Sequence, residues 1–407
     1  MLRRALPSTA RIPGRLAVLG LTALILGNRP LAAQDQEDST RMGITYRNHR
    51  LEMRTADGNN LLTLQWRFQF RGATPRDGEE TVAEELAATD QTSLRIRRAR
   101  MKVGGHAYRE WVQYYLEYDF PSSRLLDFRL TLGPPEAQVR IGQWKVNLNR
   151  ERVQSSGEQE FVERSIVNRV FTLDRQAGVM LFGHLFAGTA ADLRYYAGAL
   201  TGTGAGNHEN DDKALLWLGR LEWQPLGTDP GMSGGDLGRR TRPALTIAGA
   251  AATNRSEFTR FSGSGGGQLV GFSAGAPGQY RVNQAVLETA FKYRGVALQH
   301  ESHWKQVEDR VEATATDFDG TYVQAALFPS EFVHDLPEPL EVGARWAAVH
   351  GGRESPESEM HEVGGVANWY FAGHQNKLSL DVFRITIDDP TGHAERWRGR
   401  LQWDVSF

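Results

Sequence analysis

Five basic side chains recur at nearly every second residue in one short stretch: Arg95, Arg97, Arg98, Arg100 and Lys102. On an extended chain, residues two apart share a face, so these cations form one row. Guanidinium and ammonium groups offer positive charge and hydrogen-bond donors, which suits binding or steering of anions. The apolar residues opposite them change phase along the stretch. Leu94 and Ile96 sit at even positions, Met101 and Val103 at odd ones. A β-bulge near Arg97 and Arg98 would absorb that slip and aim both guanidiniums at the polar face. Further cations fall on polar faces of other segments: Arg129, Arg140, Lys145, Arg398 and Arg400.

The elements that must hold this row are strands. Ser93 to Val146 contains four alternating segments with connections short enough to require neighbouring antiparallel pairing, a β-meander. Val112, Tyr114, Leu116, Tyr118 and Phe120 share one face, with Gln113, Tyr115, Glu117 and Asp119 on the other. Leu126, Phe128, Leu130 and Leu132 repeat the pattern against Asp127, Arg129 and Thr131. A soluble sandwich buries its apolar face against a second sheet, whereas a membrane barrel turns it to lipid and its polar face to water.

The two ends of the chain favour the barrel. Arg3, Arg4, Arg11 and Arg15 precede an apolar run, Leu16 to Leu26, and then Leu31-Ala32-Ala33-Gln34, the pattern of an export signal cleaved after Ala33. Removing residues 1–33 takes away five arginines and no acid, leaving 42 basic against 49 acidic residues, a net charge near −7. That balance gives no hint of a nucleic-acid partner. The sequence holds no cysteine, so an exported chain of 407 residues must be held by its sheet. No later apolar run is long enough for a membrane helix, so a membrane location means a barrel. At the other end Trp397, Leu401, Trp403, Val405 and Phe407 share a face. This is similar to the terminal strand by which bacterial outer-membrane proteins are recognised by the barrel-assembly machinery.

Read in order, the chain divides into a signal peptide (1–33), a periplasmic N-terminal segment (34–60) and an outer-membrane barrel (61–407). Counting back from a periplasmic Phe407, the short segment Arg50 to Thr55 stays out of the barrel and 16 antiparallel strands remain, an even number. Short turns are expected to alternate with longer outer connections such as the acidic Val307–Gly320. Trp66, Trp111, Trp217, Trp223, Trp346, Trp369, Trp397 and Trp403, with Tyr114 and Tyr118, are candidates for the aromatic girdles. One connection, Asn147 to Gln176, is too long for an unstructured loop. It carries Arg150, Arg152, Arg164, Arg169 and Arg175 against Glu151, Glu158, Glu160, Glu163 and Asp174. Its length and charge balance predict that it folds into the lumen. Its acids would face the basic row across a narrow gap, a transverse field.

Other motifs carry less. Gly271-Phe272-Ser273-Ala274-Gly275 spells a nucleophile elbow, but that motif needs a strand-to-helix turn in an α/β sheet, and this chain is all-β. His300 and His303 would point to opposite faces of a strand. Asp317-Phe318-Asp319-Gly320 lacks the spacing and closing glutamate of a calcium loop. The glycine strings Gly202–Gly206 and Gly263–Gly267 are not placed as phosphate cradles. No enzymatic activity, metal or cofactor is expected.

The sequence also resembles the phosphate-selective porins O and P of Gram-negative outer membranes. The resemblance rests on LEMRTADGNN…LTLQWRFQFRG, IRRARMKVGG, YYLEYDF…LLDFRLTL, VRIGQWKV, ERVQSSGEQEFVERS, GVMLFG, LRYYAGALTGTG and NDDKALLWLGRLEWQP, with the terminal strand. It implies a 16-stranded homotrimeric channel whose third outer loop folds inward and whose arginines and lysines pass anions. Arg97, Arg98, Arg100 and Lys145 fall on matching motif positions. The family's phosphate channels are rich in lysine, and this chain has only Lys102, Lys145, Lys213, Lys292, Lys305 and Lys377. The resulting expectation is a porin for small hydrophilic solutes, biased toward phosphate or other oxyanions, set among outer-membrane lipid and lipopolysaccharide. The alternatives are a general diffusion porin with a transverse field, or a barrel enzyme or adhesin.

Overall fold

The structure, a computed structural model, describes residues 42–206, 209–353 and 358–407; the expected export signal lies outside them. Two short strands, β1 (Met42–Arg47) and β2 (Arg50–Thr55), form an N-terminal hairpin. The barrel then runs through β3 (Leu61–Thr74), β4 (Ser93–Ala107), β5 (Arg109–Asp119), β6 (Arg124–Leu132), β7 (Gln138–Lys145), β8 (Arg175–Leu185) and β9 (Asp192–Leu200). It continues with β10 (Leu216–Gln224) and β11 (Ala244–Ser256), and a small side hairpin, β12 (Arg260–Ser262) with β13 (Gly265–Gly267), follows. The closing run is β14 (Tyr280–Tyr293), β15 (Val296–Asp309), β16 (Thr314–Leu327), β17 (Leu340–Gly351), β18 (Glu359–Tyr370), β19 (Asn376–Asp389) and β20 (Gly392–Ser406). Helix is confined to connections: α1 (Ala83–Ala88), α2 (Arg150–Val153) and α3 (Val167–Phe171).

Neighbouring strands pair antiparallel, and β20 pairs with β3 from Gly399↔Thr74 to Ser406↔Arg67, which closes 16 strands into a barrel. Phe407 completes the seam: its carbonyl accepts from the Trp66 amide at 2.7 Å and its amide donates back at 3.0 Å. Closure leaves no edge in the barrel wall, the condition for a sheet to sit in hydrocarbon. Below the point where β20 stops, β2 takes over as partner of β3, with Leu51 opposite Leu64.

Alternation along the strands puts large apolar side chains outside. Phe70, Ile96, Phe128, Leu130, Ile141, Val179, Leu181, Leu221, Leu287, Leu298, Val323, Val363, Leu380 and Leu401 are all exposed around the circumference. Trp111, Trp217, Trp223, Trp346, Trp369, Trp397 and Trp403 join them. The inner face instead buries Arg67, Gln69, Arg71, Glu117, Asp127, Arg220, Glu288, Glu301, Arg345, Asp381 and Arg400. Apolar outside and charged inside is the reverse of a soluble core and the arrangement a bilayer selects.

Three connections depart from expectation. Val307–Gly320 is not a long loop: β15 and β16 continue to Asp309 and Thr314, and only 310–313 turn. Thr316 and Phe318 face inward while Asp317 and Asp319 face out at the rim, so the aspartates that read as loop residues sit on a strand. At the rim where the chain ends, residues 225–243 and 328–339 are long, where short turns were expected.

Candidate anion-binding passage

The basic row lies on the inner face of β4. Its bulge is where the phase slip placed it: β3 pairs Gln69 with Arg98 and Phe70 with Ile96, which leaves Arg97 as the extra residue. Arg97 and Arg98 therefore both point inward. So do Arg95 before the bulge and Arg100 and Lys102 after it. Arg95 bonds Asp77 at 2.9 Å; Arg98 lies 3.3 Å from Glu163; Arg100 bridges Glu117 at 2.8 Å and Asp119 at 3.2 Å.

The connection between β7 and β8 meets the inner wall on the far side. Asn149 donates to Glu301 at 2.9 Å, and the backbone amides of Arg150 and Glu151 donate to Glu288 and Glu301 at 2.9 and 2.6 Å. Val162 donates to Asp381, Gln324 to Glu160, Arg345 to the Glu163 carbonyl, Asn368 to the Glu160 carbonyl, Lys377 to the Gln159 carbonyl and Lys305 to the Val170 carbonyl. These partners come from β14 to β19. Arg67 and Gln69 of β3 hold Ser156 from the other side. The apolar side of the same connection, Phe161, Ile166, Val167, Val170 and Phe171, packs in one cluster with Val307, Phe318, Tyr322, Val349, Phe383, Ile385 and Ile387 of that wall. Residues 231–235, reaching up from the opposite rim, meet it as well: Gly234 donates to the Glu158 carbonyl and Gly235 to the Glu160 carboxylate.

Two cavities lie against β4 to β8. A cavity of about 430 Å³ is lined by Arg97, Arg98, Arg100, Arg124, Lys145, Arg152, Arg164 and Arg175, with Glu79, Asp119, Ser122 and Ser156 among its other walls. A second, of about 180 Å³, is lined by Arg100, Lys102, Tyr115, Glu117, Asp127, Arg129, Arg140, Lys145 and Ser156. Arg100, Lys145 and Ser156 line both, so the two chambers of the candidate passage meet at this neck. Arg129, 3.6 Å from Asp127, lies 4.8 Å above the Tyr115 ring, and Arg140 lies 4.6 Å above that of Phe182, a contact that fixes its direction without neutralising it.

Charge around the neck is unevenly paired. Asp127 holds Arg175 at 2.7 Å, and Asp174 lies 3.6 Å from Arg175 and closer still to Arg152. Among the described residues no carboxylate lies within ion-pair distance of Lys102, Arg124, Arg140, Lys145 or Arg164. Lys145 donates to the Gln154 carbonyl at 3.1 Å, and Arg164 to the carbonyls of Glu151 and Gln154, both at 2.9 Å. In the connection, burial and the neighbouring Arg152 bring Arg164 down to about 9. Burial raises Asp174, yet Arg152 and Arg175 outweigh it and hold its carboxyl at about 2. Glu163 likewise stays well below the usual carboxylate range despite its burial, through Arg98, Arg71 and Arg97.

Three sequence-based expectations are corrected here. Arg398 and Arg400 do face inward, but they are buried outside the passage, bonded to Glu80 and Asp381 at 2.9 and 2.8 Å. The acids of the connection do not oppose the basic row across a gap: Glu151 bonds Ser165, Glu160 bonds Gln324, and Glu163 touches the row directly. It is the connection's cations, Arg152 and Arg164, that turn toward the cavity. Arg150 points away, to the Gly231 carbonyl. Sequence reasoning in turn passed over Arg124, and it read Arg175 only as part of the connection's charge balance, although Arg175 opens β8 at an inward position.

With this geometry in place, comparison with known proteins is informative. Residues 76–233 match the family of phosphate-selective porins O and P. That matched stretch of porin-like sequence holds the whole β4–β8 wall and the β7–β8 connection, and it excludes Arg398 and Arg400. No curated protein matches the chain. Solved structures similar to the barrel include a loop-deleted OmpT of Vibrio cholerae (TM-score 0.59, 9% identity, 86% of this chain and 100% of that one). They also include an anion-selective porin from Comamonas acidovorans (0.56, 11%, 85% and 99%) and the outer-membrane channel DcaP of Acinetobacter baumannii (0.53, 10%, 87% and 99%). At such identities the likeness is one of fold: the chain has the architecture of outer-membrane porins.

Proposed function

We propose that the protein is an outer-membrane porin in which small hydrophilic solutes, anions in preference, diffuse along the passage between β4–β8 and the β7–β8 connection. Phosphate and other oxyanions are the expected solutes. The observation that carries this reading is the set of cations without carboxylate partners, Lys102, Arg140, Lys145 and Arg164, spaced along both chambers. In this reading residues 147–174 are a constriction loop that occupies the β14–β19 side of the lumen and confines the path to the opposite wall. Phe407 then lies at the periplasmic rim, and the terminal strand is the handle for the assembly machinery. A homotrimer follows from the family resemblance. A general diffusion porin is the second reading, favoured by Glu117, Asp119 and Asp127 beside the path.

The deciding experiment is recording from purified protein in planar bilayers across a gradient of dilute salt. Conductance in steps, with a reversal potential of anion sign, is expected. Absence of conductance would sink the porin reading, and cation-sign or zero potential would sink the anion preference.

A further inference from the structure

Outside the barrel, Lys213, Arg255 and Arg281 converge on a cavity of about 410 Å³ at the rim opposite Phe407, together with Leu215, Trp217, Thr253 and Asn283. We propose that these three cations bind the phosphate of an acylated glycolipid, the lipopolysaccharide of the outer leaflet. The proposal rests on the outer-membrane reading above and adds a site that the passage does not use.

Strand register places the site. Trp217 of β10 lies opposite Thr253 of β11, Thr253 opposite Asn283 of β14, and Arg255 opposite Arg281. All alternate in step with exposed Leu221 and Leu287, so they face outward. From the Trp217 row to the Trp223 row is six residues, roughly 20 Å along a strand and about 15 Å along the membrane normal at the usual tilt, so both rows fall within the apolar band of about 25 Å that such barrels present to lipid. Arg255 and Arg281 stand one row beyond Trp217, at the level where headgroup phosphates lie.

Charge and shape agree. Arg255 is bonded to Asp212 at 2.9 Å, and Arg281 stands 3.8 Å from Glu308 with its side chain about half exposed. Asn283 also donates to Glu308, at 3.4 Å. Lys213 has no ion-pair partner among the described residues. Among the described residues two acids lie within ion-pair distance of the three cations, and Arg255 and Arg281, register partners on β11 and β14, carry the planar guanidiniums that suit phosphate. Below them Gly219, Ala251 and Ala285 are register neighbours on three adjacent strands. They leave a shallow trough between exposed Trp217 and Leu221 on one side and Leu287 and Trp304 on the other. A Cβ built on Gly219 would meet nothing within 4 Å, so the trough is open. An acyl chain running down from a phosphate held at the rim would lie in it, which singles out a phosphorylated lipid over a free phosphate.

The test uses the full protein in detergent, titrated with diphosphorylated lipid A and with the same glycolipid stripped of phosphate, binding being read by native mass spectrometry. The wild type is expected to prefer the phosphorylated form by about tenfold or more. The Lys213→Ala, Arg255→Ala, Arg281→Ala triple variant should lose that preference while keeping heat-modifiable migration and wild-type conductance. Equal binding of both glycolipids by the wild type overturns the proposal with no variant needed, as does an undiminished preference in the variant. Loss of oligomers by the variant with its lipid preference intact would show that a second copy covers this face, and would also overturn it. Lipid binding without conductance would sink the porin reading and leave this site standing.

Discussion

Lys145 offers the sharpest test of the proposed anion preference. It stands at the neck shared by both chambers, with a backbone carbonyl as its hydrogen-bond partner. An ion about 6 Å from one unit charge in water feels roughly 0.7 kcal/mol. An anion is stabilised and a cation destabilised by that amount, so removing the charge shifts their ratio by about 1.4 kcal/mol, or tenfold. Screening reduces this to about sevenfold at 0.01 M salt, about fourfold at 0.1 M and under twofold at 1 M, as the Debye length falls from about 30 to 10 to 3 Å. Lys145→Ala should therefore lower the anion-to-cation permeability ratio by these factors. Lys145→Glu should lower it by their squares, and Lys145→Arg should leave it unchanged. Reversal potentials at each salt concentration measure all three. If the Glu and Arg variants give the same potential at 0.01 M, the neck does not lie on the ion path and the assignment fails.

Three further outcomes are expected. Burial and Glu301 raise the Glu151 carboxyl from 4.5 to about 7, so the folded protein binds that proton more tightly than the unfolded chain. Stability from this group is fully present below about pH 4.5 and lost as pH rises through about 7, on the order of 3 kcal/mol in all; Glu151→Gln should remove that slope, seen as a wild-type-minus-variant difference in thermal unfolding between pH 5 and 8. A side chain at Gly320 would place its Cβ 2.4 Å from the Phe171 ring, so Gly320→Val should cost roughly 1–3 kcal/mol and give noisier, larger single-channel currents as the β7–β8 connection loosens; quiet wild-type currents would count against that anchor. Deleting Ser155 to Arg164 should raise conductance, and an unchanged value would show that the connection does not narrow the path.

Much of the architecture was legible because a period of two is hard to disguise. Leu62, Trp66 and Phe70 against Gln65, Gln69 and Arg71, repeated strand after strand, define a wall with one apolar and one polar side, and exposed Phe70, Leu130 and Leu401 show the apolar side turned outward. The bulge at Arg97 was readable for the same reason, since an extra residue shifts every later apolar position by one. The pairing of charges was not. Arg398 and Arg400 have the right parity to line a lumen, but whether they meet water depends on their partners: Glu80 reaches Arg398 from a distant part of the chain, and Asp381 is the register partner of Arg400 on the neighbouring strand. The seat of the β7–β8 connection also escaped, though it left a trace: β19 reads Leu380, Val382, Phe383, Ile385 and Ile387, apolar on both faces. A strand with water on its inner side has no reason to do that. The connection's own Phe161, Ile166, Val170 and Phe171 are the matching half, masked by the charges between them. The inward reach of residues 231–235 left no such trace, because its contacts are backbone amides and carbonyls.

The barrel divides its labour by strand. Residues that hold the β7–β8 connection in place come mainly from β14 to β19, whereas the side chains that ring the open passage come mainly from β4 to β8. Mutational load is thereby partitioned. Substitution at wall residues that do not bond the connection, Lys102, Arg129 and Arg140, would change the charge along the candidate passage and leave the anchors in place, whereas Arg98 and Lys145 hold the connection themselves. Such a layout gives an engineer who wants a different lining a short stretch of chain in which to work.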